Sequence, residues 1–297
     1  MLAVKFQRVG FIGSGRMGTA LSLAMCNAGY DIEMVSSRSL DTASSLASKL
    51  VGCEATDNFV DLQERCDLIF LTVPDKAITE IVSDFEWRKD QAVIHCSGVF
   101  GTEVLEKARM RGAYVGAMHP LQTFCGNICD SDHLLGSTFT VSYDEGLHDW
   151  IIRLIRDLKG NIVSILPEDR PLYHASAVMT CGYLTTLMEG AIQMWLAMGF
   201  DSKEAIGALL PLIQSTLRNI EIGGIQRSVT GPIQREDFDT VRLHLAEISK
   251  RIPQLLPLYS TLGIAMVDLV SRLSGPENQS RAIWHDVLVG TMESDLA

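Results

Sequence analysis

The chain has fewer basic than acidic residues: 25 Lys and Arg stand against 36 Asp and Glu, a formal net charge of −11. That balance excludes a protein whose main task is to neutralise nucleic-acid phosphates, while leaving room for a local basic pocket around one phosphate. The opening Met1–Gly15 lacks the unbroken apolar core of a secretory leader. Lys5, Gln7 and Arg8 interrupt it and it runs into a glycine turn, so it reads as a first strand and the expected compartment is the cytoplasm. The seven cysteines are odd in number and scattered, which fits reduced thiols better than a disulfide framework. Cys125 and Cys129 lie four apart, but no second Cys or His pair accompanies them, and no structural zinc or other metal is expected. Between Pro171 and Met198 the only full charge is Glu189, and no Lys occurs between Lys159 and Lys203. The uncharged run is near the length a bilayer needs. His174, Ser176, Thr180, Gly182, Thr185 and Thr186 dilute it, however, and it reads as a central buried helix at the interface of a homodimer, with no membrane partner.

What the sequence does contain is enough apolar material for a sizeable core: 47% hydrophobic against 21% charged residues. Eight short apolar runs recur between residues 5 and 165, at Val9–Gly13, Asp31–Ser36, Gly52–Thr56, Asp67–Val73, Gln91–Cys96, Tyr114–Met118, Ser137–Val141 and Asn161–Ile165. Segments with helical periodicity lie between many of them, among them Met17–Cys26, Leu40–Leu50 and His148–Leu158. The alternation predicts an α/β fold, a doubly wound, mostly parallel Rossmann sheet over residues 1–166. Beyond Pro167 no strand pattern remains, and residues 167–297 read as an all-helical domain that serves substrate binding and dimerisation. Asp169 and Pro171 open a helix running to Met198, with Gly199 as its stop. Asp201 and Glu204 form a capping-box pair, and further helices fit Lys203–Ile220, Asp237–Ser249 and Pro253–Leu273.

Gly13-Ser14-Gly15-Arg16-Met17-Gly18 follows the first strand and opens an apolar helix. In that context the pattern predicts a dinucleotide site: Gly13 for the tight turn, Gly15 for approach of the pyrophosphate, Gly18 for close packing, and a helix N-terminus for the phosphates. An NAD site places Asp or Glu at the end of the second strand. Here Ser36, Ser37 and Arg38 stand there, hydroxyls and a guanidinium suited to a 2′-phosphate, and the cofactor is read as NADPH. Glu33 falls too early in the strand. Val73-Pro74 and Ser97-Gly98 leave the fourth and fifth strands at the carboxyl edge, where both turns would line the nicotinamide; His95 reads equally as a packed strand-end histidine.

These segments, with Met118-His119-Pro120-Leu121-Gln122-Thr123-Phe124, Tyr173-His174-Ala175 and Thr230-Gly231-Pro232-Ile233, occur in the order found in a group of bacterial Rossmann-like proteins known chiefly as candidate NADP oxidoreductases. The resemblance spans nearly the whole chain, and the His-Pro-Leu-Gln-Thr-Phe and Thr-Gly-Pro-Ile segments are its specific parts. The group resembles a branch of the superfamily that holds 6-phosphogluconate dehydrogenase, pyrroline-5-carboxylate reductase and ketopantoate reductase. The resemblance implies a helical C-terminal domain, a dimer, and reduction of ketopantoate to pantoate as the leading reaction. One departure stands out. Hydroxyacid dehydrogenases of that superfamily carry a catalytic Lys early in the helical domain, and this chain has none there.

Hydride transfer to a carbonyl needs an acid or hydrogen-bond donor at the oxygen. His174, early in the second domain, and His119, after the sixth strand, are the catalytic candidates. Gln122, Thr123 and Thr180 are substrate-contact candidates, and Arg235 is a candidate for binding a substrate carboxylate, though it reads more readily as a charge starting a surface helix. His133, His148, His244 and His285 lack comparable context. Three functions fit: an NADPH-dependent reductase of a 2-oxo acid, an imine reductase resembling pyrroline-5-carboxylate reductase, and a non-catalytic NADP-binding sensor.

Overall fold

The computed structural model describes residues 6–126, 128–274 and 280–294, excluding the side chains of residues 128, 129, 274 and 290–294; the Cys129 thiol is therefore outside the description. Two compact units divide at Cys181/Gly182.

The first unit is built on one eight-stranded sheet: β1 (Val9–Ile12), β2 (Ile32–Ser36), β3 (Glu54–Thr56), β4 (Leu68–Leu71), β5 (Ala92–His95), β6 (Tyr114–Pro120), β7 (Thr138–Tyr143) and β8 (Asn161–Val163). Their order is β3-β2-β1-β4-β5-β6-β7-β8. The first six strands are mutually parallel, β7 runs antiparallel to β6, and β8 follows β7 in parallel. Every residue of β1, β4 and β5 is buried, as a parallel sheet covered on both faces requires. Helices α1 (Arg16–Asn27), α2 (Leu40–Ala47) and α6 (His148–Asp157) complete the core on one face around Phe11, Phe70 and Trp150. Helices α3 (Phe59–Arg65), α4 (Asp75–Asp84) and α5 (Glu106–Met110) complete the other around Ile69, Val93 and Val115. The order of strands reverses at β1, between β2 and β4. The crevice outside their carboxyl ends is where open α/β sheets bind ligands.

All eight expected strands form, several shorter than expected by one to three residues, and no strand follows Val163 among the described residues. The first unit continues past the last strand to include α7 (Arg170–Thr180). The second unit contains α8 (Gly182–Ala197), α9 (Ser202–Ser228), α10 (Phe238–Arg251), α11 (Leu256–Ser274) and α12 (Arg281–Ser294). Its core gathers Val241, Leu245, Ile248, Val267 and Trp284, with the Phe238 and Trp284 rings 4.3 Å apart.

Three helix expectations are corrected. The single helix expected through Met198 is broken at Cys181 (φ −114°, ψ −75°) into α7 and α8. Just before the break, the Thr180 hydroxyl turns back to the Ser176 and Ala177 carbonyls, both at 3.1 Å, a bond that bends helices, and Gly182 follows. Neither piece, at 11 and 16 residues, has bilayer-spanning length. Asp169 makes no side-chain cap, because the 3₁₀ turn Pro167–Asp169 already leads the backbone into α7. Helix α9 runs past Ile220 to Ser228, kinked at Gly224 (φ +66°). The Asp201–Glu204 capping box is present, with bonds of 2.8 and 2.9 Å. The segment Pro253–Leu273 is long and apolar enough to cross a membrane by length and composition; its Leu256, Val267 and Val270 are buried in the helical core.

Candidate functional site

The glycine turn divides its tasks among its three glycines. Gly13 sits at φ +113°, and a Cβ there would lie 2.6 Å from the Thr72 carbonyl oxygen. A Cβ on Gly18 would meet the Gly13 carbonyl oxygen at 2.1 Å and Thr72 Oγ1 at 2.6 Å. Side chains are thus barred at both positions by backbone. At Gly15 nothing lies within 4 Å, so the space above it is open for a ligand. Thr72, which sequence reasoning missed, fastens the turn: its hydroxyl donates to the Gly13 carbonyl at 2.7 Å. The Gly13 N–H donates to Ser36 O at 2.8 Å and ties the turn to the end of β2. Helix α1 starts at Arg16 with no acidic residue in its first turn and no side-chain cap, leaving its N–H groups to an anion. Ser14 and Met17 are half-buried, and Arg16 is exposed beside Gly126.

Beyond β2 the backbone turns through Ser37 and the exposed Arg38. Ser36 Oγ is buried without a partner, while Ser37 Oγ accepts from Thr42 at 3.0 Å. Glu33 is not available to a ribose, since Arg65 ties it to Glu54. An open Gly15, an uncapped helix N-terminus and a carboxylate-free β2 end fit a dinucleotide with a 2′-phosphate.

At the nicotinamide side Val73 packs against the second core and exposed Pro74 leads into α4. Buried Ser97 accepts from the Val99 and Phe100 N–H groups, both at 3.2 Å, and so shapes its own turn. His95 is fully buried. Its Nδ1 accepts from Ser97 N at 3.1 Å, so Nε2 carries the proton to the Gly101 carbonyl at 2.7 Å. Burial holds this imidazole below its ordinary pKa, and its role is structural.

The two catalytic candidates meet at Gly98. A Cβ there would lie 2.7 Å from His174 Cδ2 and 3.0 Å from His119 Nε2, so only glycine admits both rings. His119, opposite Thr140 in the β6–β7 ladder, shares a 2.7 Å hydrogen bond between its Nδ1 and the Tyr173 hydroxyl. The two imidazole centroids are 6.2 Å apart. Burial first, then the neighbouring His174, Arg170 and His95, push the His119 pKa down to about 4. Burial raises that of Tyr173. Arg170, Tyr173 and His174 share one face of α7 by their i, i+3, i+4 spacing. Arg170 is fully buried, donates to Ser142 Oγ at 3.0 Å, and has no partner at Nε and Nη1. Arg170 escaped sequence reasoning, and Tyr173 was noted only as part of the Tyr173-His174-Ala175 segment, without its role at His119.

The other predicted residues are scattered. Gln122 is engaged in its own loop, donating to His133 O at 3.0 Å and accepting from Thr123 N at 2.8 Å; Thr123 is exposed. Thr180 is exposed at the end of α7 with its hydroxyl on the helix backbone. Arg235 is exposed in the turn before α10, in the second unit. No cluster of potential metal ligands occurs among the described residues.

Residues 3–120 match the Rossmann-like domain, and residues 137–266 match a domain of unknown function, DUF2520. No curated protein matches the chain in sequence. Among solved structures, a candidate NADP oxidoreductase from Bacteroides fragilis is 23% identical with a TM-score of 0.74, over 89% of this chain and 99% of that one. A pyrroline-5-carboxylate reductase from Streptococcus pyogenes is 16% identical with a TM-score of 0.59, over 90% and 97%. A reductive aminase from Aspergillus terreus, solved with NADPH, is 16% identical with a TM-score of 0.64, over 90% and 93%. At these identities the likeness is one of fold.

Proposed function

We infer that the protein is an NADPH-dependent reductase of a small 2-oxo acid, with ketopantoate as the leading substrate. The observation that carries the reading is the pair of imidazoles converging on Gly98, at the same sheet edge as a glycine turn that fits a dinucleotide. Bound NADPH would supply the hydride. Ser37 and Arg38 would hold the 2′-phosphate, and the N–H groups at the start of α1 the pyrophosphate.

With a pKa of about 4, His119 is neutral at pH 7. If the Tyr173 hydroxyl donates to its Nδ1, the ring proton sits on Nε2, against Gly98. A neutral imidazole in this position polarises a substrate oxygen by hydrogen bonding. The transferred proton is assigned to His174, which meets His119 at Gly98, in the part of the chain where the catalytic Lys of the related dehydrogenases is missing.

A second reading, reduction of a cyclic imine, draws support from the fold shared with pyrroline-5-carboxylate reductases and a reductive aminase. The protein is taken to work as a cytoplasmic homodimer without nucleic-acid or membrane partners; exposed Tyr183, Leu212 and Ile222 in the helical unit support a second copy. NADPH oxidation with ketopantoate, other 2-oxo acids and 1-pyrroline-5-carboxylate tests the reading. Turnover of an oxo acid that falls roughly a hundredfold or more in His174→Ala, with NADPH affinity unchanged, is the expected result. Turnover of the imine alone, insensitive to both histidines, transfers the assignment to the second reading. Tight NADPH binding with no turnover makes the protein a sensor.

A further inference from the structure

The second unit contains a cavity of about 300 Å³ between α8, α11 and the Thr230–Ile233 turn. Its lining carries no charge. Leu187, Ala191 and Met194 face it from α8, and Leu258, Leu262 and Met266 from α11. Tyr259 contributes its ring to the lining, but its hydroxyl is bonded to Nδ1 of the exposed His244 at 2.7 Å. The Tyr259 hydroxyl is thus already held by His244. The hydroxyl of Thr230, an exposed residue, is the other side-chain polar group of the lining and is open to a ligand. Leu187 and Leu262 are each 44% exposed, so the cavity opens to solvent through an apolar rim, while Ile233 is 8% exposed and lies at its inner side.

Close-packed interiors leave few voids larger than a water molecule. An apolar cavity of about 150 Å³ is enough to take benzene from water, and this one has twice that room. Two helix-interior glycines, Gly190 and Gly263, line it, although glycine is disfavoured there; Gly263 is explained by packing, since a Cβ there would meet Leu288 Cδ2 at 2.8 Å. At Gly190 the added Cβ would meet nothing closer than Leu258 Cδ2 at 3.4 Å, so no clash demands the glycine. Its absent side chain leaves the space open. The Thr-Gly-Pro-Ile turn forms the third wall. The walls of the cavity thus come from three elements, α8, α11 and the Thr230–Ile233 turn, and a concavity of that kind suits a compact molecule.

We propose that this cavity binds an uncharged small molecule with an apolar body and one hydrogen-bonding group, the body lodged between α8 and α11 and the polar group at Thr230. The two methionines adapt the walls to aliphatic or aromatic shapes. The site is independent of the reductase reading.

The test is a titration of the full chain, ¹³C-labelled at its methionine methyls, with 1-octanol, followed by NMR and sedimentation. Saturable one-to-one shifts of the Met194 and Met266 resonances are expected. Gly190→Leu and Ala191→Leu, two independent ways to fill the cavity, should each weaken binding roughly tenfold or more without changing the sedimenting species. Thr230→Val should weaken it by a smaller factor. Shifts that do not saturate, or binding that survives both filled variants, overturn the proposal. So does a wild-type protein that ignores 1-octanol while the filled variants sediment as a smaller species, which would assign the cavity to a second copy of the chain.

Discussion

A Cβ on Gly18 would press on the Gly13 carbonyl, whereas one on Gly15 would enter empty space, and the two substitutions should separate accordingly. Gly15 is the N-cap of α1 in an extended conformation (φ −71°, ψ −172°) that a β-branched residue adopts without strain. Gly15→Val should therefore fold with an unchanged melting temperature and lose NADPH binding by roughly a hundredfold or more, as read by fluorescence titration. Gly18→Ala should instead unfold about 3 kcal/mol more easily in urea, because backbone must shift to admit the methyl. The glycine roles were legible in the sequence, since their spacing follows a strand and opens a helix. Thr72 and Tyr173 were not. A threonine at a strand end and a tyrosine in an apolar turn acquire meaning only when partners 59 and 54 residues away arrive beside them.

Helix α7 is where local pattern misled. The uncharged run predicted one long helix because nothing in its composition announces a stop; the break depends on the backbone at Cys181 and the back-bonded Thr180. The same helix buries Arg170 with a hydrogen bond to one hydroxyl, and the Glu103 carboxylate acts on it only through space. A buried cation without a bonded carboxylate contributes little to stability, since its desolvation offsets what it gains. Arg170→Met should melt within a few degrees of the wild type or above it. Because Arg170 is among the groups that hold His119 low, the His119 titration followed by NMR should move upward in that variant. At the second unit's capping box, Asp201→Ala removes the acceptor for Glu204 N and should cost about 1 kcal/mol of stability by chemical denaturation.

The folded molecule should lose stability in mild acid. Folding depresses the His119 pKa from 6.5 to about 4, so its contribution is fully present above pH 6.5. It is lost as pH falls towards 4, where the unfolded chain binds a proton that the folded one refuses. For a half-buried ring the loss is about 2 kcal/mol; His95, depressed in the same direction by burial, adds to it. Unfolding free energies measured from pH 7 to pH 4.5 should fall, and His119→Gln should flatten part of that slope. A stability independent of pH across this window would contradict the buried neutral state of both rings.

The reversal of β7 and β8 has a consequence for how the two catalytic candidates come into line. Strands one to six end at the ligand edge; β7 and β8 run away from it, and β8 ends at Val163, level with Thr140 and His119, so the chain leaves β8 heading away from the edge and α7 must climb back. Arg170 touches the level of Ser142, and Tyr173, one turn higher, reaches His119. The sheet and the helix thus work as two rulers with different graduations, about 3.3 Å and 1.5 Å per residue. They agree at His174 only because the link between them, residues 164–169, has its present length. One residue inserted there would lift α7 by a single step and swing its face by about 100°, leaving every side chain intact and the two imidazoles out of register.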